Sequence, residues 1–478
     1  MRSKKIVQAA ILLDVYARNA FMKFLQSPYF NSNQAAIEYF DIIDQCIRTD
    51  AYDFSDEALW TRIFGSAPYQ HQKFLKLNSD LVKLLEQFLT QEALNDAPTL
   101  ASNLRLRAAH KMSMEPLLNG ILSEFERLIK QDNNQSGQYY YNRYELELLR
   151  FNTKSENEKK KSKFEIEGQL NIEQISSHLD TFYFIEKLRM YCTLLSWKKM
   201  YKVEMEIPYM DFILEESQTA LKKEIPAVQL YYLMQNTYIN QDDTAHYFEL
   251  RRLMKDSLHL FPEEEAKEIY ATAISYCINQ VNKGNLNFQR ETFDLYNSML
   301  NETSFAISFI SVTSFRNIVF FAIRVNESSW AEDFIHRYAS YLEEKDRDNA
   351  VYFSLARLEF NRKNYEKVIE YLNKVTYEDV WYSLGSKALL LHCYYELNEY
   401  DALESLLQSF NMYVRREKSL TKDRKLHQQN LIRFTGSLIK LTSKDKNKLV
   451  NLEKEIQETR GVVSKPWLLE KVQEKLQG

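Results

Sequence analysis

His392 and Glu396 stand four residues apart, with Cys393 between them. On a helix that spacing puts both side chains on one face, and together they would supply two-thirds of a tetrahedral metal site. No second donor cluster occurs in the sequence, so the pair reads instead as a surface or groove pair. Asp242, Asp243 and His246 form a similar small cluster. Its residue types also suit the turn and cap between two helices, which is the favoured reading. The stretch "PEEEAKE", Pro262 to Glu268, offers paired carboxylates for acid–base work. Proline followed by acids is equally what a helix start wants, because acids complement the helix dipole. Phosphate-cradling loops need clustered glycines, and the closest glycines here are 17 residues apart. Walker and Rossmann loops are therefore excluded, and no HExxH, GxSxG or EF-hand pattern occurs. The sequence assigns no catalytic, cofactor-binding or metal-binding residue, and the expectation is a protein that is not an enzyme.

The elements that must position these residues are helices. The chain has 478 residues, 45% of them hydrophobic, which is enough for a large core. Gly and Pro number 9 and 8, against an ordinary share near 12% of residues. No proline lies between Pro262 and Pro466. Sheets need turn residues every few positions and long helices do not, so this composition predicts an all-α fold. Cys46, Cys192, Cys277 and Cys393 are too far apart for a CxxC pair and read as buried thiols in a reducing compartment, the cytoplasm. The first residues, "MRSKKIVQAAILLDVYARNAF", read as an amphipathic helix, because Gln8 and Asp14 interrupt the apolar run. No stretch of 18 apolar residues occurs, so no membrane span is expected.

Apolar residues recur at helical spacing along the chain. Phe74, Leu77, Leu81, Leu84, Leu85 and Phe88 share one face, as do Leu118, Ile121, Leu122, Phe125, Leu128 and Ile129. "SPYFNSN", residues 27–33, separates two helices: Pro28 disfavours helix at Ser27, Asn31, Ser32 or Asn33 caps the next helix, and the two aromatics staple the pair. "NTKSENEKKKSK", residues 152–163, is polar and without periodicity, and reads as a linker. The expected organisation is an irregular helical domain (1–165), helical repeats (166–412) and basic capping helices (413–478).

Between residues 314 and 410 the pattern repeats. "VYFSLARLEF", a turn "NRKN" and "YEKVIEYLNKV" make a helical hairpin, with a similar unit before it and another after it. Trp330, Tyr365 and Tyr400 follow one another at intervals of 35 residues, each placed at the start of a second helix. A ring there is expected to wedge between the two helices of its hairpin. A fixed period with two helices per unit is the signature of a solenoid. The central unit resembles the tetratricopeptide repeat family at Tyr352, Leu355, Ala356, Tyr365, Val368, Leu372 and Val375. It departs from that pattern in having Val368 and Val375 for Ala, Glu359 for an aromatic, and no closing Pro. The combination of "FLQSPYFN", "FRNIVFFAIRV", "LARLEFNRKNYEKVIEYL" and "KPWLLEKV" also resembles a family of uncharacterised helical-repeat proteins from Bacteroidetes, which brings no assigned activity.

The tetratricopeptide resemblance implies that first helices line a concave groove. Carried over residue by residue, it places Phe353, Arg357, Phe360 and Asn361 there from one unit, and His392, Tyr395 and Glu396 from the next, with Asn326 a weaker candidate from the preceding one. A mixed polar and aromatic groove suits an extended peptide or a helix; the alternative occupant is a helix of the same chain. The implied function is a non-enzymatic cytoplasmic scaffold for a protein or peptide partner. The alternative rests on residues 413–450, where eleven Lys and Arg face three Asp and Glu in a chain of net charge −4. That segment would bind nucleic acid, or would be the exposed face of a capping helix whose apolar side is Leu426, Ile432, Phe434, Leu438, Ile439 and Leu441. The last helix, "KPWLLEKVQEKL", is expected to bury Trp467 and Leu468 as an end seal.

Overall fold

A computed structural model describes residues 1–132, 134–158, 171–218, 225–302, 305, 308–377 and 379–478. Among the described residues the regular structure is helical throughout, with no strand. The chain forms two compact units, Met1–Tyr231 and Tyr232–Gly478. The expected boundary near residue 165 lies outside the described residues.

The first unit contains α1 (Lys5–Ile11), α2 (Val15–Gln26), α3 (Gln34–Thr49), α4 (Asp56–Phe64), α5 (His71–Asp96), α6 (Pro98–Lys111), α7 (Glu115–Gln131), α8 (Gly137–Glu158), α9 (Ile172–Tyr201) and α10 (Met210–Ser217). Helices α1 to α5 enclose one core, in which Phe21, Tyr39, Phe40, Trp60 and Phe74 are buried. Full burial of side chains of this size contributes roughly 1.5–3 kcal/mol each. The helix starts follow the capping chemistry of the sequence: Asp14 accepts from the Ala17 amide and Asn33 from the Ala35 amide. Of the two aromatics expected to staple α2 to α3, Phe30 stacks on Phe24 at 4.2 Å, while Tyr29 is 88% exposed. A second core joins α6, α7 and α8 through Leu106, Phe125, Ile129 and Leu146. Helix α8 runs to Glu158, so the expected linker begins as a continuation of that helix.

Helix α11 (Pro226–Ile239) spans the division between the units. The second unit continues with α12 (Ala245–Ser257), α13 (Glu263–Asn282), α14 (Phe288–Leu300), α15 (Val312–Arg324), α16 (Ser328–Tyr338), α17 (Glu344–Asn361), α18 (Tyr365–Leu372), α19 (Val380–Glu396), α20 (Tyr400–Arg416), α21 (Lys422–Leu438), α22 (Lys446–Glu458) and α23 (Lys465–Gln477). Four consecutive hairpins, α13–α14, α15–α16, α17–α18 and α19–α20, are closed by one recurrent turn. After each first helix a residue takes a left-handed backbone: Gly284 (φ 97°), Asn326 (63°), Lys363 (61°) and Asn398 (59°). The next amide reaches back five residues, Asn285 to Gln280, Glu327 to Ala322, Asn364 to Glu359 and Glu399 to Tyr394. These are Schellman closures, which satisfy the carbonyls a helix leaves open at its end.

The turn also fixes the register of the repeat. Tyr365 and Tyr400 each stand two residues after the left-handed position and open their helices, whereas the residue so placed in the preceding hairpin is Ser328. Trp330 is the third residue of α16, and its 35-residue distance from Tyr365 does not mark an equivalent position. The rings also lie shallower than wedges between helices. Trp330 and Tyr365 are half-buried and Tyr400 is 39% exposed. Trp330 packs edge-on against Phe293 of the preceding hairpin at 4.9 Å, Tyr365 against Phe360 at 5.9 Å and Tyr400 against Tyr395 at 6.3 Å. The fully covered contacts inside the hairpins come from Ala356, Val368, Leu372, Leu391 and Leu403.

Helix α20 runs without a break through the expected boundary at 412/413. Beyond it, α21, α22 and α23 share a core with the last hairpin, built from Leu391, Leu403, Phe410, Leu431, Phe434, Ile456, Leu468 and Val472. On α21, Ile432, Phe434 and Leu438 are buried and Leu426 is exposed, while Ile439 and Leu441, just past its end, are partly buried.

Candidate functional site

Helices α15, α17 and α19 pack side by side as first helices of successive hairpins. The residues expected to line their shared face fall into two groups with different surroundings.

The downstream group is covered by the chain itself. His392 and Tyr395 are buried, and Phe360 is half-buried beside His392 at 5.5 Å. Trp467 of α23 lies over the His392 ring at 4.1 Å and meets Tyr395 edge-on at 5.3 Å. Its indole N–H donates to Glu396 Oε1 at 2.8 Å, and Lys471 Nζ stands 3.0 Å from the same oxygen. The end seal expected of Trp467 is thus laid on residues expected to form the groove. Burial, with the nearby Lys471 ammonium second, holds the His392 imidazolium down to a pKa of about 3, so the ring is neutral at ordinary pH. Neither His392 ring nitrogen has a partner among the described residues. Cys393 faces a separate core with Val368 and Leu372, and burial pushes its thiol up to about 12. With Glu396 held by α23 and Cys393 turned into that core, these residues do not gather as metal ligands. Among the described residues no three His, Cys, Asp or Glu side chains come together so as to hold a metal ion.

The upstream group lines an open cavity of about 570 Å³. Thr313, Arg316, Asn317 and Phe320 come from α15, Phe353 and Arg357 from α17, Trp381, Leu384, Gly385 and Ala388 from α19, and Gln428 and Val463 from the capping region. None of these residues is acidic. The Arg357 guanidinium lies over the Phe320 ring at 4.7 Å and 5.9 Å from that of Phe353. Phe353 meets Tyr382 edge-on at 5.4 Å, and Arg316 stands over the same tyrosine at 5.1 Å. The ring of Phe353 reaches α19 where there is no side chain to oppose it: a Cβ on Gly385 would come within 2.7 Å of it. Burial, then the like charges of Arg324 and Arg316, pull the Arg357 pKa down to about 10. Asn361, at the end of α17, is exposed and donates to the Ser328 hydroxyl at 3.3 Å. Asn326 is the left-handed residue of its turn.

Arg316, Phe320, Trp381 and Gln428 were absent from the expected lining. Arg316, Phe320 and Arg324 recur every four residues on α15, a stripe readable in the sequence. Trp381 and Gln428 are brought in only by packing of the last hairpin and the cap.

The remaining clusters behave as local structure. Asp243 accepts from the Ala245 amide and lies 3.4 Å from His246, while Asp242, in the turn between α11 and α12, pairs with Lys283 at the end of α13 at 2.7 Å. Glu263, Glu264 and Glu265 fill the first turn of α13, and Lys267 pairs with the first two. In the basic segment Arg433 pairs with Glu455, Lys448 with Asp445, and Arg424 lies 4.6 Å over the Trp381 ring, while Arg415, Arg416, Lys418 and Lys422 are exposed. All four cysteines are buried free thiols. Among the described residues no helix is long and apolar enough to cross a membrane.

No family model matches the chain, and no curated protein matches it. One solved structure that does is the APC/C hetero-tetramer Cut9–Hcn1, at 12% identity and a TM-score of 0.30, over 95% of this chain and 86% of that one. The helical-hairpin architecture described above therefore rests on the geometry of this chain alone.

Proposed function

We propose that the chain is a non-enzymatic cytoplasmic scaffold that binds another protein through the shared face of α15, α17 and α19, with Phe353 and Arg357 at its centre and Phe360 and Asn361 at its edge. The observation that carries this reading is the cavity itself. It is open, it mixes aromatic rings with guanidinium groups, and no acidic residue lines it among the described residues. Rings and arginines of this kind anchor protein interfaces more often than other side chains do. The residues expected to extend the groove, His392, Tyr395 and Glu396, take no part in this site because Trp467 and Lys471 occupy them.

The test is a photo-crosslinking residue placed at position 313, which is exposed and lines the cavity, and a second placed at Glu370, exposed on α18. The full chain carrying each is expressed in its source cells. A discrete protein adduct from position 313 and none from position 370 is expected. No adduct from 313, or the same adducts from both, removes the reading.

A further inference from the structure

The cavity holds more positive charge than the fold uses. Arg316 and Arg357 line it and Arg324 lies next along the same stripe of α15, yet among the described residues none of the three has an ion pair. Arg357 has no hydrogen bond either among the described residues, although it is largely covered by the rings of Phe320 and Phe353. Ring contacts of this kind use none of its five N–H donors, which have no acceptor among the described residues. Like charges gathered with no acid lining the cavity among the described residues destabilise the free protein, and the depressed basicity of Arg357 has the like charges of Arg324 and Arg316 as a cause after burial. An arrangement costly to the fold, open to solvent and supplied with unused donors is what an anion site looks like before its ligand arrives.

The charge and shape of the site narrow the ligand. A single carboxylate would balance one guanidinium and leave the second lining arginine unbalanced. A phosphate monoester carries between one and a half and two negative charges at neutral pH, with three acceptor oxygens that match guanidinium forks. Phe320, Phe353 and Trp381 beside the arginines give an apolar wall for the group that bears the phosphate.

We propose that this cavity binds a phosphate monoester, its oxygens held by Arg316 and Arg357 and its body lying on Phe320, Phe353 and Trp381. Two sources share that chemistry, a phosphorylated side chain of a protein partner and a small organic phosphate. The first rests on the scaffold reading given above, and the second does not.

The experiment is calorimetric titration of the full chain with phenyl phosphate, with benzoate, and with a peptide carrying one phosphotyrosine beside its unphosphorylated form. Phenyl phosphate is expected to bind one equivalent, at least tenfold more tightly than benzoate. Arg357→Met and Arg316→Met should each weaken it tenfold or more, as loss of a charge-assisted hydrogen bond does, while Arg433→Met, whose side chain pairs with Glu455 and does not line the cavity, should not change it. Arg357→Met should also leave the melting temperature of the free protein unchanged or raised, which shows that the loss of binding is not a loss of fold. Absence of phenyl phosphate binding, equal binding of benzoate, or binding that survives both arginine substitutions overturns the proposal. If phenyl phosphate binds and the phosphopeptide does not, the phosphate site stands with a small ligand and its extension to a protein partner falls. If the adduct at position 313 forms but phenyl phosphate does not bind, the scaffold reading stands and the phosphate site falls.

Discussion

Replacing Trp467 by Ala tests whether the last helix seals the downstream half of the repeat face. Truncating a fully buried aromatic costs about 3–5 kcal/mol. Trp467 is half-buried, so the cost at pH 7.5 should be about 2–3 kcal/mol, from its contacts with His392 and Tyr395 and its hydrogen bond to Glu396. A second effect has the opposite pH signature. His392 is held neutral in the folded chain to about pH 3, whereas an unfolded histidine takes up a proton near pH 6.5. Below 6.5 the unfolded state therefore binds a proton that the folded state refuses, and stability falls as the pH drops from about 6.5 toward 3. At pH 5 the wild-type chain should have lost about 2 kcal/mol from this group relative to pH 7.5. Without the indole the imidazole is open to water, its folded and unfolded affinities for the proton converge, and that loss shrinks.

Urea unfolding of both proteins at pH 7.5 and pH 5.0, followed by far-ultraviolet circular dichroism, measures the difference. Contributions from groups whose surroundings are the same in both chains cancel in the difference. The gap between wild type and Trp467→Ala should narrow on acidification, by up to about 2 kcal/mol. A gap that is the same at both pH values would refute the seal over His392. So would a gap at pH 7.5 below about 0.5 kcal/mol, the size of an ordinary surface change.

The recurrent turn predicts opposite effects at equivalent positions. Gly284→Ala should destabilise by about 1–2 kcal/mol although nothing crowds the added methyl, because the left-handed backbone itself resists a side chain, and Lys363→Gly should stabilise by up to about 1 kcal/mol; chemical denaturation of each variant reads both. Tyr365→Ala should lower the unfolding midpoint more than Tyr400→Ala, whose exposed ring limits its cost to about 1 kcal/mol, and a larger effect at Tyr400 would restore the wedge. The exposed basic residues should give no specific nucleic-acid complex at physiological salt. A steeply salt-dependent sub-micromolar complex, lost when Arg415, Arg416, Arg424 and Lys425 are neutralised together, would favour the nucleic-acid reading instead.

Helix content was legible because scarce glycine and proline and apolar residues at helical spacing are local signals, and the structure keeps them. The repeat was legible only in outline. Aromatic spacing suggested a register in which Trp330 matches Tyr365, but the turn that closes each hairpin is carried by backbone conformation, and its residue is Gly, Asn, Lys and Asn in succession. Lysine at such a place gives no sequence signal. The intervals between these turns, 42, 37 and 35 residues, are not constant either. At the site, Phe353 and Arg357 were readable from their place on a first helix. The fate of His392, Tyr395 and Glu396 was not, since it depends on Trp467, 71 residues beyond Glu396, and no local pattern reports which helix returns to cover another.

The two halves of this face differ in a way that packing alone does not explain. In the downstream half every charge has an answer: Glu396 takes the indole N–H and Lys471, and Lys471 also reaches Glu474. Such a cluster is what a structural seal requires, because a buried charge with one partner removed costs more than the pair contributed. The upstream half does the reverse. Two arginines line it with no acid among the described residues, the Arg357 guanidinium lies over the Phe320 ring, and a glycine clears the way for Phe353. Methionine in place of Arg357 would remove the like-charge repulsion, so the contacts with Phe320 and Phe353 are all that the guanidinium gives the fold among the described residues. Groups that weaken a fold and stay open to solvent belong to binding rather than to packing. The same α-helical frame thus closes one half of its shared face and leaves the other half charged, and the charged half is where a ligand belongs.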